Sequence, residues 1–321
     1  MTDTQPHYAD SLKYEDWAGE MGARWLANLT GFESTIAPIG EALLARAAYR
    51  PGESVLDIGF GGGATSLAIA RAVGPGGEVL GIDISPDLVT ATSRRAAAAG
   101  IANARFLCAD GASVAVPDAP YDRLCSRFGS MFFPDPVAAF ANLRRALKPG
   151  GRIDLAVWGP PQENPWMLEG MAVARRHVEM PAPVPRAPGP FAFDDLEYLN
   201  EIMASAGFSG VDIVATTGLL PVGGPGATPQ SAQAFARSAL AFGQVLLDYP
   251  QAVQAAVSAD LTEFWALCTD CRSLSVPAAR LFCAFVTALT ACWTDCRSFW
   301  APDAWLLIAF VSPVLAVATD C

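Results

Sequence analysis

One glycine-rich stretch constrains the fold of this chain more than any other feature. A short apolar run from Ser54 to Ile58 leads into glycines at alternate positions, and an alanine-rich helical pattern follows from Ala64 to Val73. This order predicts a strand, a tight turn and a helix. Glycine allows positive φ and lets the backbone approach a ligand closely, and the N-terminus of the next helix attracts negative charge. The stretch therefore predicts a binding site for a ligand with an anionic or strongly polar part.

The glycines fit two kinds of ligand. Gly59-x-Gly61-x-x-Ala64 matches the dinucleotide-binding fingerprint, which would make the chain an NAD(P)-dependent oxidoreductase. Asp57, however, precedes Gly59-x-Gly61-x-Gly63, and a carboxylate there would repel a pyrophosphate. The same carboxylate suits an ammonium group, which S-adenosylmethionine carries together with a sulfonium and no phosphate. Asp57 therefore favours the methyl donor over the dinucleotide.

Five short motifs follow one another along the chain. They are DIGFGGG at 57–63, GIDIS at 81–85, CADG at 108–111, YDRLCS at 121–126 and RRALKPGG at 144–151. In this order they resemble the motifs of the class I S-adenosylmethionine-dependent methyltransferases, of the small-molecule type with a methyltransferase-11/25-like domain. The resemblance covers about residues 50–160 and implies S-adenosylmethionine as the cofactor.

The resemblance also implies roles for single residues. Asp83 would hold the ribose hydroxyls, and Ile84 would pack on the adenine. Asp110 would take the adenine amino group, with the backbone at Gly111 meeting the ring. The predicted cofactor-binding residues are Asp57, Gly59, Gly61, Gly63, Asp83, Ile84, Asp110, Gly111, Ser126 and Arg127.

The charge and the apolar content of the chain limit its partners. The formal net charge is −11, so a basic face for nucleic acid is not expected. The apolar fraction of 52% allows a full core. The polar N-terminus lacks a signal-peptide pattern, and the charge-free window at 304–319 is shorter than the roughly 20 residues of a membrane span. We expect a cytoplasmic protein without a membrane span that acts on a small molecule; no oligomeric state is predicted.

Strands and helices alternate between residues 51 and 158, which predicts a parallel, doubly wound α/β sheet. Strands are predicted at 54–58, 78–83, 104–108, 122–126, 152–158 and 211–216, and helices at 16–30, 36–48, 64–73, 86–99, 135–147, 166–178, 194–206 and 230–265. With the resemblance, the expected fold is a Rossmann-like, mostly parallel seven-stranded sheet with helices on both faces. Ligands of such sheets bind at the carboxyl ends of the strands, so the strand-end residues are expected to meet in one cleft.

Four parts of the chain are expected. They are a helical lid at 1–50, a cofactor-binding core at 51–217, a helical insertion at 218–266 and a duplicated tail at 267–321. In the lid, Tyr14, Trp17 and Trp25 are expected over the cofactor, because an aromatic face attracts a sulfonium. The alternative is that the two tryptophans only pack the helix onto the core.

An acceptor site is expected beyond the fourth strand. Arg127 is expected at the cleft edge, where it takes a carboxylate of the cofactor or of an acidic substrate, or pairs with a neighbouring acid. Phe128 is expected either to wall an apolar pocket or to pack in the core. The predicted substrate residues are Trp25, Phe128, Trp158 and Trp166, with Asn164 and His177 nearby.

The tail repeats itself at an offset of 25 residues, because TDCRS at 269–273 recurs at 294–298. The family's sheet closes with one antiparallel strand. One copy, at 276–287 or at 303–312, is therefore expected to be that strand, and the other to be surplus.

Six of the eight cysteines fall in this tail. Cys268-x-x-Cys271 followed by Cys292-x-x-x-Cys296 has a spacing that a zinc or soft-metal site could use. The alternative is that the repeat copied its cysteines. No metal is predicted.

No side chain is identified as a catalytic base. His177 follows two arginines on a predicted helix and is expected to be a solvated surface histidine. The expected reaction is methyl transfer to a small organic molecule by in-line displacement, in which alignment supplies most of the acceleration and a base is not required. A non-catalytic S-adenosylmethionine-binding protein remains an alternative, because the strand-end acids indicate binding of the cofactor but not a reaction.

Overall fold

The computed structural model describes residues 16–180, 182–270 and 308–319, with residues 241, 267–270 and 308–319 described by their backbone alone. The strands are β1 Ser54–Ile58, β2 Glu78–Asp83, β3 Ala104–Cys108, β4 Tyr121–Arg127, β5 Leu147–Trp158, β6 Ser209–Leu220 and β7 Ile308–Thr319. The helices are α1 Glu20–Ala27, α2 Leu29–Ala47, α3 Ala64–Val73, α4 Pro86–Ala98, α5 Pro136–Arg144, α6 Pro165–Arg175, α7 Leu196–Ser205, α8 Pro229–Ala239, α9 Ala241–Leu247 and α10 Gln251–Asp270. Strands and helices therefore alternate from β1 to β5, apart from the direct passage from β3 to β4.

The sheet has the strand order β3-β2-β1-β4-β5-β7-β6. The first five strands pair in parallel, whereas β7 lies antiparallel to both β5 and β6. The chain starts in the middle of the parallel part and proceeds first to one edge and then to the other. Because parallel crossovers are right-handed, this reversal puts helices on both faces. The predicted doubly wound, Rossmann-like α/β fold is confirmed for the five parallel strands.

The middle strands are apolar because both of their faces are covered. In β1, Val55, Leu56 and Ile58 are all buried. One continuous apolar cluster reaches from Phe32 on α2 through the strands to Trp265 on α10. The N-terminal and C-terminal helices therefore share the core of the sheet.

Several element boundaries differ from the prediction. Helix α2 begins at Leu29 rather than at residue 36, and Pro38 lies inside it. Strand β5 begins at Leu147 rather than at residue 152 and shifts its register against β4. The predicted single helical stretch 230–265 is divided into α8, α9 and α10. Strand β5 is longer than its apolar run because its first residue, Leu147, pairs with Tyr121 of β4.

Strand β7 overlaps the predicted second copy of the tail repeat at 303–312 and continues past it to Thr319. The first copy, at 276–287, lies outside the described residues. The duplication hypothesis therefore stays a prediction, as does the metal spacing, since Cys271, Cys292 and Cys296 also lie outside the described residues.

Candidate functional site

The site is built at the carboxyl end of β1, where the strand order reverses between β1 and β4. The turn after β1 carries three glycines in the left-handed region: Gly59 at φ 66°, Gly61 at φ 57° and Gly63 at φ 81°. A Cβ on Gly59 would lie 2.6 Å from the Cα of Gly129, so the loop after β4 crosses closely over this turn. Helix α3 then begins at Ala64, and its first N–H groups face the end of the strand. The predicted strand, glycine turn and helix are all present.

Asp83, at the end of β2, is tied to the glycine turn. Its carboxylate accepts the backbone N–H of Gly61 at 2.8 Å and that of Ser85 at 3.0 Å. Burial raises the pKa of Asp83 against these hydrogen bonds. The neighbouring Ile84, by contrast, has 42% of its surface exposed. An acid beside an uncovered apolar side chain is the pair that the sequence predicts for ribose and adenine.

Asp110 follows β3 at the same edge of the sheet. It is exposed, and its carboxylate accepts the N–H of Ala112 at 2.9 Å and the hydroxyl of Ser113 at 2.8 Å. A Cβ on Gly111 would lie 3.1 Å from Ile58, so the backbone there lies close to the end of β1. Asp110 and Gly111 thus lie on the open side of the site.

Asp57 lies deeper than the other acids, with 1% of its surface exposed. Its Oδ2 accepts a hydrogen bond from the Ser66 hydroxyl at 2.5 Å, and Oδ1 accepts none from a described residue. Desolvation raises the pKa of Asp57 from 3.8 to about 7, against the lowering effects of the Ser66 hydrogen bond and the charge of Arg127. The carboxylate therefore sits behind the glycine turn, against α3, and titrates near neutral pH. Its contact with an ammonium group stays a prediction.

Arg127, the last residue of β4, reaches under α2. A Cβ on Gly40 of α2 would lie 2.6 Å from its Nη1, so the guanidinium lies directly against that helix. Desolvation lowers the pKa of Arg127, and the charges of Asp57 and Glu33 act in the opposite direction. Its guanidinium makes no hydrogen bond or ion pair with a described residue. The N–H groups of this guanidinium are therefore available to hydrogen-bond a ligand.

Ser126 has a different environment from that of the other predicted residues. Its hydroxyl donates to the carbonyl of Ile58 at 2.9 Å and accepts the N–H of Ser130 at 3.1 Å. Ser126 is fully buried. Both of its hydrogen bonds join the ends of β1 and β4 to the loop that follows β4.

An aromatic cluster covers the glycine turn from the N-terminal side. Trp25 stacks on Phe32 with ring centroids 3.9 Å apart, and Trp17 contacts both Trp25 and Phe132 edge-on. A Cβ on Gly61 would lie 3.3 Å from the indole nitrogen of Trp25, which has no hydrogen-bond partner among the described residues. Helix α1 therefore lies directly against the turn. Tyr14, the third predicted lid residue, lies outside the described residues.

Three of the four predicted acceptor residues lie in the core, and the fourth, Trp25, lies at the glycine turn. Phe128 and Trp158 stack with centroids 4.3 Å apart, and Trp166 contacts Trp158 edge-on. All three are buried. Phe128 has φ 66°, an unusual conformation for a residue with a Cβ, so the backbone turns sharply where β4 ends. Asn164 is fully buried nearby in sequence and donates to the carbonyls of Gly159 and Pro160.

His177 is not the solvated histidine that the sequence predicted. Its Nε2 lies 2.8 Å from Oδ2 of Asp260, which joins the end of α6 to α10. Helix periodicity within α6 could not reveal this contact, because Asp260 lies on a helix far along the chain. The pair is part of the packing of the C-terminal helices.

Asp122 is an acid of β4 that lies outside the candidate site. It opens β4 at the end of the sheet away from the glycine turn, where it accepts the Ser54 hydroxyl at 2.8 Å and pairs with Lys148 at 2.7 Å. These residues line a shallow polar groove with Gly76 and Gly77. The groove is far from the strand-end acids and its polar groups are paired with one another.

Sequence reasoning missed four residues around the glycine turn and its acid. Ser66 bonds to Asp57, Thr92 and Arg95 of α4 bond to the carbonyls of Gly61 and Gly62, and Glu33 of α2 pairs with Arg95. A serine two positions into an alanine-rich helix gave no local signal, and neither did a charge pair between two separate helices. Within the described residues, no group of three His, Cys, Asp or Glu side chains could hold a metal.

The fold and the site together define a class of protein. Residues 55–151 match the family model described as a methyltransferase domain. The chain is 38% identical over 137 residues to nocamycin O-methyltransferase of Saccharothrix syringae, covering 42% of this chain and 49% of that one. It is 31% identical over 185 residues to a ubiquinone/menaquinone biosynthesis C-methyltransferase of Ralstonia nicotianae, covering 53% of this chain and 72% of that one.

A solved structure, the YcgJ protein from Bacillus, shares the fold with a TM-score of 0.51 and 17% identity, over 88% of this chain and 98% of that one. The chain belongs to the class I S-adenosylmethionine-dependent methyltransferase family, and the predicted family and cofactor are confirmed. The chain spans about half the length of the nocamycin enzyme. Among the described helices, none has the length and apolar character needed to cross a bilayer. The cytoplasmic location stays a prediction.

Proposed function

We propose that this chain transfers a methyl group from S-adenosylmethionine to a small organic molecule. In the reaction, a nucleophilic atom of the acceptor forms a bond to the methyl carbon while the carbon–sulfur bond breaks, and the acceptor's proton passes to solvent. When bound, S-adenosylmethionine supplies an activated methyl group on a sulfonium. The protein's part is to align the acceptor and exclude water, which is worth roughly 7–11 kcal/mol in well-oriented systems.

One observation carries the proposal: the pairing of a glycine turn with Asp83 and an exposed Ile84. The turn presents bare backbone, Asp83 is held against it at 2.8 Å, and Ile84 offers an uncovered apolar surface for a flat ring. We infer that Asp83 holds the ribose and Ile84 the adenine. Asp110, exposed on the same edge, is inferred to reach the adenine amino group.

We infer that the amino-acid end of the cofactor lies between Asp57 and Arg127. The two side chains interact electrostatically, and neither the Oδ1 of Asp57 nor the guanidinium of Arg127 has a hydrogen bond to a described residue. An ammonium and a carboxylate complement this pair of charges. A pyrophosphate would meet two buried carboxylates, Asp57 and Asp83, which argues against a dinucleotide.

A second candidate is a protein that binds S-adenosylmethionine without turnover. It is favoured by the burial of Phe128, Trp158 and Trp166, which pack on one another and not around an open pocket.

For an enzyme, the acceptor would need another place to bind. Trp25, next to Gly61, is the predicted substrate residue with the most direct access to the cofactor site. We infer that displacement of α1 and its aromatic side chains opens the acceptor pocket.

The test is a calorimetric titration with S-adenosylhomocysteine and, in parallel, with NADH. We expect micromolar binding of the first and none of the second; binding of NADH alone would refute the proposal. Incubation of metabolite extracts with labelled methyl donor then distinguishes an enzyme from a binding protein. A labelled product supports turnover, and binding without any labelled product supports the second candidate.

A further inference from the structure

We propose that Arg95, with Thr92 and Glu33, clamps the glycine turn from outside and thereby sets the affinity for the cofactor. These are positioning residues, since they hold the backbone that the ligand would touch. The inference rests on the proposed function for the identity of the ligand, but the clamp itself is visible in the structure.

Two side chains of α4 hold two successive carbonyls of the turn. Thr92 and Arg95 are three positions apart and so lie on the same face of the helix. The hydroxyl of Thr92 donates to the carbonyl of Gly61 at 3.0 Å, and Nη1 of Arg95 donates to the carbonyl of Gly62. Thr92 is fully buried at this contact. The turn is therefore tied to α4 at consecutive residues.

Glu33 of α2 fixes the direction of the Arg95 guanidinium. Its two carboxylate oxygens accept Nη1 and Nη2 of Arg95 at 2.6 and 2.8 Å, a two-pronged arrangement that holds the planar group in one orientation. Desolvation lowers the pKa of Arg127, and the charge of Glu33 opposes this shift. One carboxylate thus joins the outside of the turn to the cation proposed to meet the ligand.

The clamp explains why residue 62 is a glycine. Unlike Gly61 and Gly63, Gly62 has no positive φ, so the turn itself does not require a glycine there. A Cβ at this position would instead lie 2.3 Å from Leu29, 2.5 Å from Glu33 and 2.9 Å from Arg95. A side chain at residue 62 would therefore displace members of the clamp, and glycine leaves them in place.

Holding these carbonyls also sets the direction of the N–H groups of the turn. In a planar trans peptide the C=O of one residue and the N–H of the next point in opposite directions. With the carbonyl of Gly61 held toward α4, the N–H of Gly62 points away from α4. The N–H of Gly61 is held by Asp83 in turn. A turn that is ordered before the ligand arrives loses less conformational entropy on binding.

The experiment compares Arg95→Met with Arg94→Met. Arg94 is the neighbouring residue on α4, is exposed and has no contact with the turn, so its substitution removes the same charge from the same helix. Glu33→Gln tests the clamp from the other helix with a smaller change. Each variant is titrated with S-adenosylhomocysteine, and amide hydrogen exchange of residues 59–64 is measured without ligand.

We expect Arg95→Met to weaken binding about tenfold relative to Arg94→Met and to speed exchange in the turn, with Glu33→Gln weaker in both effects. Equal affinity and equal exchange in Arg95→Met and Arg94→Met would overturn the inference. An equal loss of melting temperature in both variants, without a difference in affinity, would also overturn it. If the wild-type chain did not bind S-adenosylhomocysteine, the proposed function would fall and the affinity half of this inference with it, while the exchange data would still decide whether the clamp orders the turn.

Discussion

Asp57 combines burial with a nearby cation, and burial has the larger effect. Its pKa is raised to about 7 from 3.8, so the folded protein holds a proton on this group that the unfolded chain releases. The stability contributed by the protonated group is present below about pH 4 and is lost as the pH rises through about 7. A ligand ammonium beside the carboxylate would favour the ionised form and reverse that loss.

We therefore expect binding of S-adenosylhomocysteine to release a proton at pH 6 and to tighten as the pH rises toward 8. The release, close to one proton at about pH 6 and close to zero at about pH 8, follows from a pKa near 7 in the free protein. Calorimetry in buffers of different ionisation enthalpy measures it. Asp57→Asn is the control, because it keeps the shape of the side chain and should remove the release; an unchanged release in that variant would show that another group titrates.

Arg127 gives a second prediction at the scale of one residue. The guanidinium of Arg127 makes no hydrogen bond or ion pair with a described residue. Arg127→Met should therefore weaken S-adenosylhomocysteine binding about 10–100-fold, because a charge-assisted contact to the ligand carboxylate is lost. Calorimetry measures the dissociation constant. Arg105→Met, which removes a surface arginine paired with Asp118, should leave it unchanged. Equal affinity in the two variants would mean that Arg127 serves only the packing under α2.

At the scale of elements, helix α1 is a short helix that covers the glycine turn. It lies against the glycine turn at Trp25 and against the start of α4 at Gly22, where a Cβ would lie 2.4 Å from the Ser85 hydroxyl. The helix has only eight residues and no side-chain cap at its N-terminus, and the stacking of Trp25 on Phe32 helps to hold it in place. Trp25 packs the helix and also faces the turn, and its predicted role over the cofactor stays a prediction.

We expect Trp25→Ala to weaken binding of S-adenosylmethionine about three- to thirtyfold, because a desolvated aromatic face attracts a cation. The effect should be smaller for S-adenosylhomocysteine, which lacks the sulfonium charge. Calorimetry with both ligands measures the difference. Tyr198→Ala serves as control, since that ring lies on α7 with the Arg186 guanidinium 4.1 Å from its centroid, and its loss should not affect either ligand. An equal loss for both ligands would limit Trp25 to packing.

At the scale of the whole molecule, the site joins parts of the chain that are far apart in sequence. The glycine turn, Asp83 and Asp110 come from three strands, Glu33 from a helix before them, and all are set on one continuous core that ends at Trp265. Ligand binding at the turn should therefore stabilise the protein as a unit rather than one segment of it.

We expect S-adenosylhomocysteine at a hundredfold excess over its dissociation constant to raise the free energy of unfolding by about 2.7 kcal/mol and the melting temperature by about 5 °C. NADH at the same concentration should not change the melting temperature. Thermal unfolding followed by circular dichroism measures both. In Asp83→Asn the shift with S-adenosylhomocysteine should be lost, and a shift of wild-type size in that variant would remove Asp83 from the site.

The sequence alone determined the parallel core, because strands, helices and turns depend on patterns a few residues long. The apolar run of β1, the glycines after it and the acids at the ends of β2 and β3 could all be read in order, and the resemblance assigned them to one family. Only the tertiary structure decided how deep Asp57 lies, that His177 pairs with Asp260, and that Glu33 and Arg95 hold the turn. Burial and charge pairing depend on residues that are distant along the chain, and no local pattern carries them.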